Sequence, residues 1–204
     1  MRTYDDPCGV ARALDLVGER WALLLVRELL LGPKRFTDLA RGLPGMSQNV
    51  LAQRVRELEE SGIVRRRVLG PPVGTRVYEL TARGAELEAV LLELSRWGSR
   101  QPLTSDAELS VDALALALRV TFRGDGLRAQ IGLRLGDDVL TAWVDGDTLL
   151  IARREPDTPD AVITSDVASL RGAVFGGEAL PAEVTGDRAV AERFVRLFPR
   201  PSTH

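Results

Sequence analysis

The chain has 204 residues, 45% of them hydrophobic, and a formal net charge of −2, enough for one large domain or two small ones with ordinary cores. Its single cysteine, Cys8, and single histidine, His204, exclude an internal disulfide, Cys/His zinc sites, and Ser-His-Asp or Cys-His catalysis. No apolar run reaches the roughly 18 residues of a membrane span, and no basic stretch leads into an apolar one at the N-terminus. The expectation is a cytoplasmic protein that is not an enzyme, with no catalytic residues, no metal, no cofactor and no membrane partner.

The near-neutral total hides an asymmetry. Residues 1–100 hold 16 Arg/Lys and 13 Asp/Glu, whereas residues 101–204 hold 11 and 16. A basic half beside an acidic one fits a nucleic-acid-binding module joined to a partner domain.

Residues 8–17 place Val10, Ala13, Leu14 and Val17 at helical spacing before Gly18 interrupts. The string 19–31 is apolar almost all round, which predicts a helix buried on most sides. Gly32-Pro33 stops it, and Phe36, Leu39, Ala40 and Leu43 mark a short helix ending at Pro44-Gly45. Ser47 is a good N-cap for the next helix. With Leu51, Val55 and Leu58 turned to a core, Asn49, Ala52, Gln53 and Arg56 fall on the opposite face and Gln48 at the N-terminal end. Residues 63–69 and 76–80 then read as two strands joined by the tip GPPVGT.

A helix followed by a hairpin is the order of a winged helix-turn-helix, which sets one helix in the DNA major groove and flanks it with a phosphate-touching wing. Amides at Gln48, Asn49 and Gln53 can pair bidentately with adenine, and Arg56 can meet guanine or phosphate. The expected contacts to double-stranded DNA are Ser47, Gln48, Asn49, Gln53, Arg54, Arg56, Arg35 and Arg76. Arg54 lies off the outward face, where an internal salt bridge competes with a phosphate contact, and the whole polar face could equally be plain solvated surface. From Thr81 another helix carries Leu87, Leu91, Leu94 and Trp97 along one stripe. With Leu14 and Val17 of the first helix it reads as a surplus apolar surface for a homodimer reading a palindromic operator, its half-sites about 34 Å apart. The alternative is packing on the second domain.

Three segments together resemble the HxlR family of bacterial winged-helix regulators: PCGVARALDLVGERWALLLVRELLLGPKRF, LPGMSQNVLAQRVRELEESGIVRR, and YELTARG with a closing Trp-Gly, over roughly residues 7–98. The resemblance implies a dimeric transcription factor whose first and last helices in this region form the interface. In several members a cysteine where Cys8 stands senses electrophiles or oxidants. A helix start at Cys8 would favour a reactive sulfur, but a lone cysteine is as often inert.

Residues 101–110 read as a linker, separating an N-terminal domain 1–100 from a C-terminal domain 111–204. A helix at 111–122 precedes strands in which Leu127, Ala129, Ile131, Leu133 and Leu135 share a face. Asp137-Asp138 and Asp145-Gly146-Asp147 read as hairpin turns. A short strand, a helix, another strand and a last helix follow. The fold class expected is α+β, with a mainly antiparallel sheet and packed helices in the second domain. Its order from 160 to 198 resembles the sterol-carrier-protein-2-like fold, which implies a cavity for an apolar effector, with Trp143, Phe175 and Phe194 as lining candidates. The same aromatics could equally fill a core. The leading expectation is a homodimeric repressor controlled by an apolar ligand. Its competitors are a lipid-binding carrier that uses the winged helix for protein contacts, and a thiol redox sensor acting through Cys8.

Overall fold

The computed structural model describes residues 4–70, 74–102, 105, 107–180 and 183–199. Residues 71–73 of the expected wing tip, part of the expected linker, and His204 lie outside these. The chain divides into two compact units, Met1–Leu91 and Leu92–His204. The division falls inside a helix, ahead of segment 101–110.

The first unit runs α1 (Gly9–Val17), α2 (Ala22–Leu29), α3 (Phe36–Gly42), α4 (Gln48–Glu60), β1 (Val64–Val68), β2 (Arg76–Leu80), α5 (Ala82–Ala85) and the start of α6 (Leu87–Gly98), which the division crosses after Leu91. α2 starts three residues into the apolar run 19–31, because Trp21 takes a left-handed conformation, φ 79°. Such backbone costs a bulky residue about 1–3 kcal/mol. Burial of its ring against the core, and over Gly45, offsets the cost. An added Cβ at Gly45 would lie 3.1 Å from that ring, so a side chain there would have to displace the ring by a few tenths of an ångström. Leu25, Leu39 and Leu51 are fully buried, with Val26, Val55, Leu58 and Ile63 around them. Each fully buried aliphatic side chain contributes about 1.5–3 kcal/mol.

β1 and β2 pair antiparallel, from Val64 opposite Leu80 to Val68 opposite Arg76. The hairpin is tied to the helices at its base: Lys34 and Tyr78 exchange both backbone hydrogen bonds, at 2.9 and 2.8 Å. Beneath that bridge the wholly buried Glu28 carboxylate accepts from Arg27 and Lys34, each at 2.8 Å. Gly42 makes room for it, since a Cβ there would lie 2.2 Å from the Glu28 carboxylate oxygen.

The second unit contains α7 (Val111–Thr121), β3 (Arg128–Leu135), β4 (Asp138–Asp145), β5 (Thr148–Ala152), β6 (Ala161–Ser165), α8 (Val167–Arg171), a π-helical turn (Gly172–Gly176), β7 (Val184–Gly186) and α9 (Arg188–Val195). The five strands lie in the order β5-β4-β3-β6-β7. Only β3 and β6 run parallel, so the sheet is mainly antiparallel, as expected. Ile131, Leu133 and Leu135 are buried together with Leu140, Ala142 and Ile163, which is the alternation the sequence predicts. The first hairpin turns at Gly136-Asp137 rather than Asp137-Asp138, because Asp138 already pairs with Leu135. Gly136 and Gly146 open the two turns with φ of 62° and 61°, the sign a two-residue hairpin requires.

Polar ties fix the helices of this unit. Ser110, Asp166 and Asp187 cap α7, α8 and α9 through their side chains. Bonds donated by the Ser169 amide and hydroxyl hold the Asp166 carboxyl below the usual carboxylate range. Arg193 does the same for Asp125 through a 2.7 Å hydrogen bond, and its own pKa rises in return. Arg153 binds the buried Asp112 at 2.9 Å and also pairs with Asp138. Among the described residues no helix is long and apolar enough to cross a membrane, and no group of three or more His, Cys, Asp and Glu could hold a metal ion.

Candidate nucleic-acid interface

α4 is seated by Leu51, Val55 and Leu58, all buried, and started by Ser47, whose hydroxyl accepts from the Val50 amide at 3.4 Å. This fixes which side faces out. Gln48, Asn49, Ala52, Gln53 and Arg56 are exposed, and Asn49, Ala52, Gln53 and Arg56 line one shallow depression with Glu57 and Glu60. The small side chain of Ala52 leaves room between its longer neighbours. It was not among the expected contacts, because a methyl carries no polar signal, although apolar contact with thymine is a base-reading mode.

The remaining expected DNA contacts divide. Arg35 is exposed beside the start of α3, where its amide donates to Asp38 at 3.2 Å. Arg76 is exposed in β2 and makes no ion pair with a described residue. Arg54, by contrast, is buried, paired with Glu57 and lying 3.3 Å from Glu19. It is an internal tie of α4 and does not stand on the outward face. The three arginines of β1 are partly neutralised: Arg65 and Arg67 lie 2.7 and 3.2 Å from Glu79, and Arg66 lies 3.6 Å from Glu59. Arg35, Arg56 and Arg76 make no ion pair with a described residue, and Arg65 and Arg67 share the one carboxylate of Glu79, so positive charge remains on them as well.

Residues 16–105 match the family model described as HxlR-like helix-turn-helix. The HTH-type transcriptional regulator YodB of Bacillus subtilis (strain 168) is 40% identical over 88 residues, covering 43% of this chain and 79% of YodB. The uncharacterized HTH-type transcriptional regulator YvaP of the same strain is 39% identical over 89 residues, covering 43% and 82%. The chain belongs to the HxlR-like helix-turn-helix family. It is an HTH-type transcriptional regulator, and the family match lies in its N-terminal part. Among solved structures, the reduced form of YodB is 37% identical, covers 50% of this chain and all of its own, and superposes with a TM-score of 0.42.

Within this HxlR-like unit the apolar stripe is split. Val17 and Leu91 are core residues and Leu87 packs against the core, so these three are not a surplus surface. They seat α1 and α6 on the other helices. Leu14, Leu94 and Trp97 are 40%, 46% and 63% exposed, and the structure adds Val10 and Val90 to them. Val90, Leu94 and Trp97 follow one another at i, i+4 and i+7, a continuous stripe on the outer side of α6. Cys8 is exposed as the N-cap residue of α1, and its amide donates to Asp6 at 2.8 Å.

In the second unit the three aromatic candidates do not converge. Phe194 is fully buried, edge-on to Phe198 at 5.0 Å, and is a core residue. Trp143 alternates with the buried Ala142 and Val144 and so stands on the other face of β4, where Arg154 lies over its ring at 5.5 Å. Only Phe175 lines an open groove of about 910 Å³, with Val174, Leu180, Val195 and Phe198 as its apolar part and Glu178, Arg188 and Arg196 among its polar part.

Proposed function

We propose that this regulator is a homodimer that binds double-stranded DNA sequence-specifically, inserting α4 into the major groove of a palindromic operator and repressing transcription from it. The observation that carries the reading is the outward face of α4: three amide side chains and an arginine, exposed on a helix whose other side is locked into the core. Gln48, Asn49 and Gln53 are suited to adenine, Arg56 to guanine or phosphate, and Ala52 to a thymine methyl. Ser47, at the N-cap of α4, and the exposed Arg35 and Arg76 serve backbone contacts, which position without reading sequence. The exposed stripes of α1 and α6 give each copy an apolar surface to bury against the other.

The acidic second unit is read as an effector domain of the sterol-carrier-protein-2-like kind. Support comes from its α+β architecture and from the groove beside the π-helical turn, where Phe175 and Phe198 offer apolar contacts. An effector there controls DNA binding only by favouring one of two states of the dimer. A second reading, a thiol switch, is favoured by the exposure of Cys8 at the N-cap of α1. With one cysteine per chain, a disulfide form of the switch is either an intersubunit Cys8 pair or a mixed disulfide with a small thiol.

Gel-shift titrations over a range of salt, on the duplex upstream of the protein's own coding sequence, test the reading. Affinity is expected to fall steeply with salt, with a log-log slope near −0.9 for each phosphate neutralised. Absence of binding at low salt to that duplex and to duplexes drawn from a randomised library would refute it.

A further inference from the structure

Among the exposed side chains of α4, Gln53 differs from its neighbours because the protein holds its amide. Gln53 Nε2 donates to Glu57 Oε1 at 3.0 Å, one turn further along the helix. The other oxygen of Glu57 accepts from Arg54 Nη1. Arg54 Nη2 in turn lies 3.3 Å from Glu19, in the corner between α1 and α2. Gln48, Asn49 and Arg56 have no side-chain hydrogen bond to a described residue.

The Glu19 side chain is itself about half exposed, but the backbone on either side of it is fixed. Gly18 closes α1 with a 2.8 Å bond to the Leu14 carbonyl, and a Cβ there would lie 2.4 Å from that oxygen. Trp21, two residues past Glu19, packs its ring into the core and over Gly45. Arg54 itself is only 9% exposed. Glu57 is therefore clamped between a buried guanidinium and the outward face.

We propose that Glu57, anchored by Arg54 and Glu19, is a positioning residue that orients the Gln53 amide and thereby sets the base preference at the position Gln53 meets. This rests on the reading of α4 as the helix in the groove. A carboxylate only accepts, so the NH2 group must face Glu57 and the amide oxygen must point away from it. The oxygen then accepts from adenine N6, while the second amide hydrogen remains for N7. Without Glu57 the amide turns over at no cost and offers the reverse pattern equally well. Holding it removes both that wrong orientation and the entropy of ordering the side chain on binding. Arg54, shared between Glu57 and Glu19, also offsets part of the charge with which Glu57 would repel phosphates.

The test uses the full chain and a library of duplexes with a randomised core, sequencing the bound fraction for wild type, Q53A, E57A and E57Q. Unfolding midpoints are recorded for each. Q53A is expected to flatten the preference at one base position per copy of the chain. E57A should reduce preference at that same position by roughly two- to tenfold, the range for releasing one ordered side chain, and leave the others unchanged. E57Q, whose amide oxygen still accepts from Gln53, should keep most of it. If Q53A flattens a position and E57A leaves it intact, or if E57A weakens every position in step with lost stability, the positioning role is overturned while base reading by α4 stands. If Q53A flattens nothing, Gln53 reads no base, and the underlying reading falls with the proposal.

Discussion

Replacing Glu28 tests how the wing is held to the helices. Its carboxylate is completely buried, 2.8 Å from both Arg27 and Lys34, whose side chains are only 17% and 11% exposed. Glu28→Ala removes the anion and leaves two cations in place, Lys34 at the backbone bridge to Tyr78. Breaking a buried pair by deleting one partner costs about 3–5 kcal/mol, and the partial exposure of the cations points to the lower end. At a urea slope of about 1.5 kcal/mol/M, a loss of about 3 kcal/mol lowers the unfolding midpoint by about 2 M. Fluorescence of Trp21, in a background with Trp97→Phe and Trp143→Phe, reports the first unit alone. Combining Glu28→Leu with Lys34→Met should recover part of the loss, because only the partly exposed Arg27 is then left without its carboxylate. A loss under about 1 kcal/mol, or a double variant no better than Glu28→Ala, would refute the reasoning.

Gly84→Ala should destabilise the first unit by about 1–3 kcal/mol in the same urea assay, since overpacking is costly and the added Cβ would lie 2.1 Å from the Ile63 carbonyl; an unchanged midpoint contradicts the packing of α5 against Ile63. Asp125, its carboxyl depressed by Arg193, stabilises the fold above the ordinary carboxylate range and loses that contribution as pH falls through the depressed value. Melting midpoints should therefore drop more steeply below about pH 4 for wild type than for Asp125→Asn, and parallel acid limbs would count against the pair. Leu94→Asp should weaken self-association at least about tenfold, or 1.4 kcal/mol, in sedimentation, without lowering the unfolding midpoint, because Leu94 is exposed. A dimer that withstands it would put the interface elsewhere.

Much of α4 and the β3–β4–β5 meander was legible in the sequence because local periodicity decides them. A serine cap, three apolar residues at helical spacing and an opposite polar face leave one orientation for α4, and strict alternation does the same for β3. Residues whose neighbours are distant in sequence were harder to place. Val17, Leu87 and Leu91 lie on the same spacing as exposed residues, and only the packed helices reveal which side of the stripe faces inward. Helical geometry sets Arg54 off the outward face and allows an internal salt bridge, but its partner Glu19, thirty-five positions earlier, shows only in the fold. The left-handed Trp21, the division of the 81–98 helix into α5 and α6, and the parallel pairing of β3 with β6 all depend on tertiary contacts without a short-range signature. The aromatic candidates of the second unit were chosen by type alone, and type does not distinguish core from groove: Phe194 fills one, Phe175 lines the other.

The central claim is that the outward face of α4 enters the DNA. Its most direct test is site-specific photocrosslinking, with a photoreactive side chain placed in turn at Ala52 on α4 and at Val90 on α6, on a duplex selected from the randomised library. An adduct to a base is expected from position 52, mapping within the selected motif, and none from position 90. Crosslinks from position 90 with none from position 52 would contradict it.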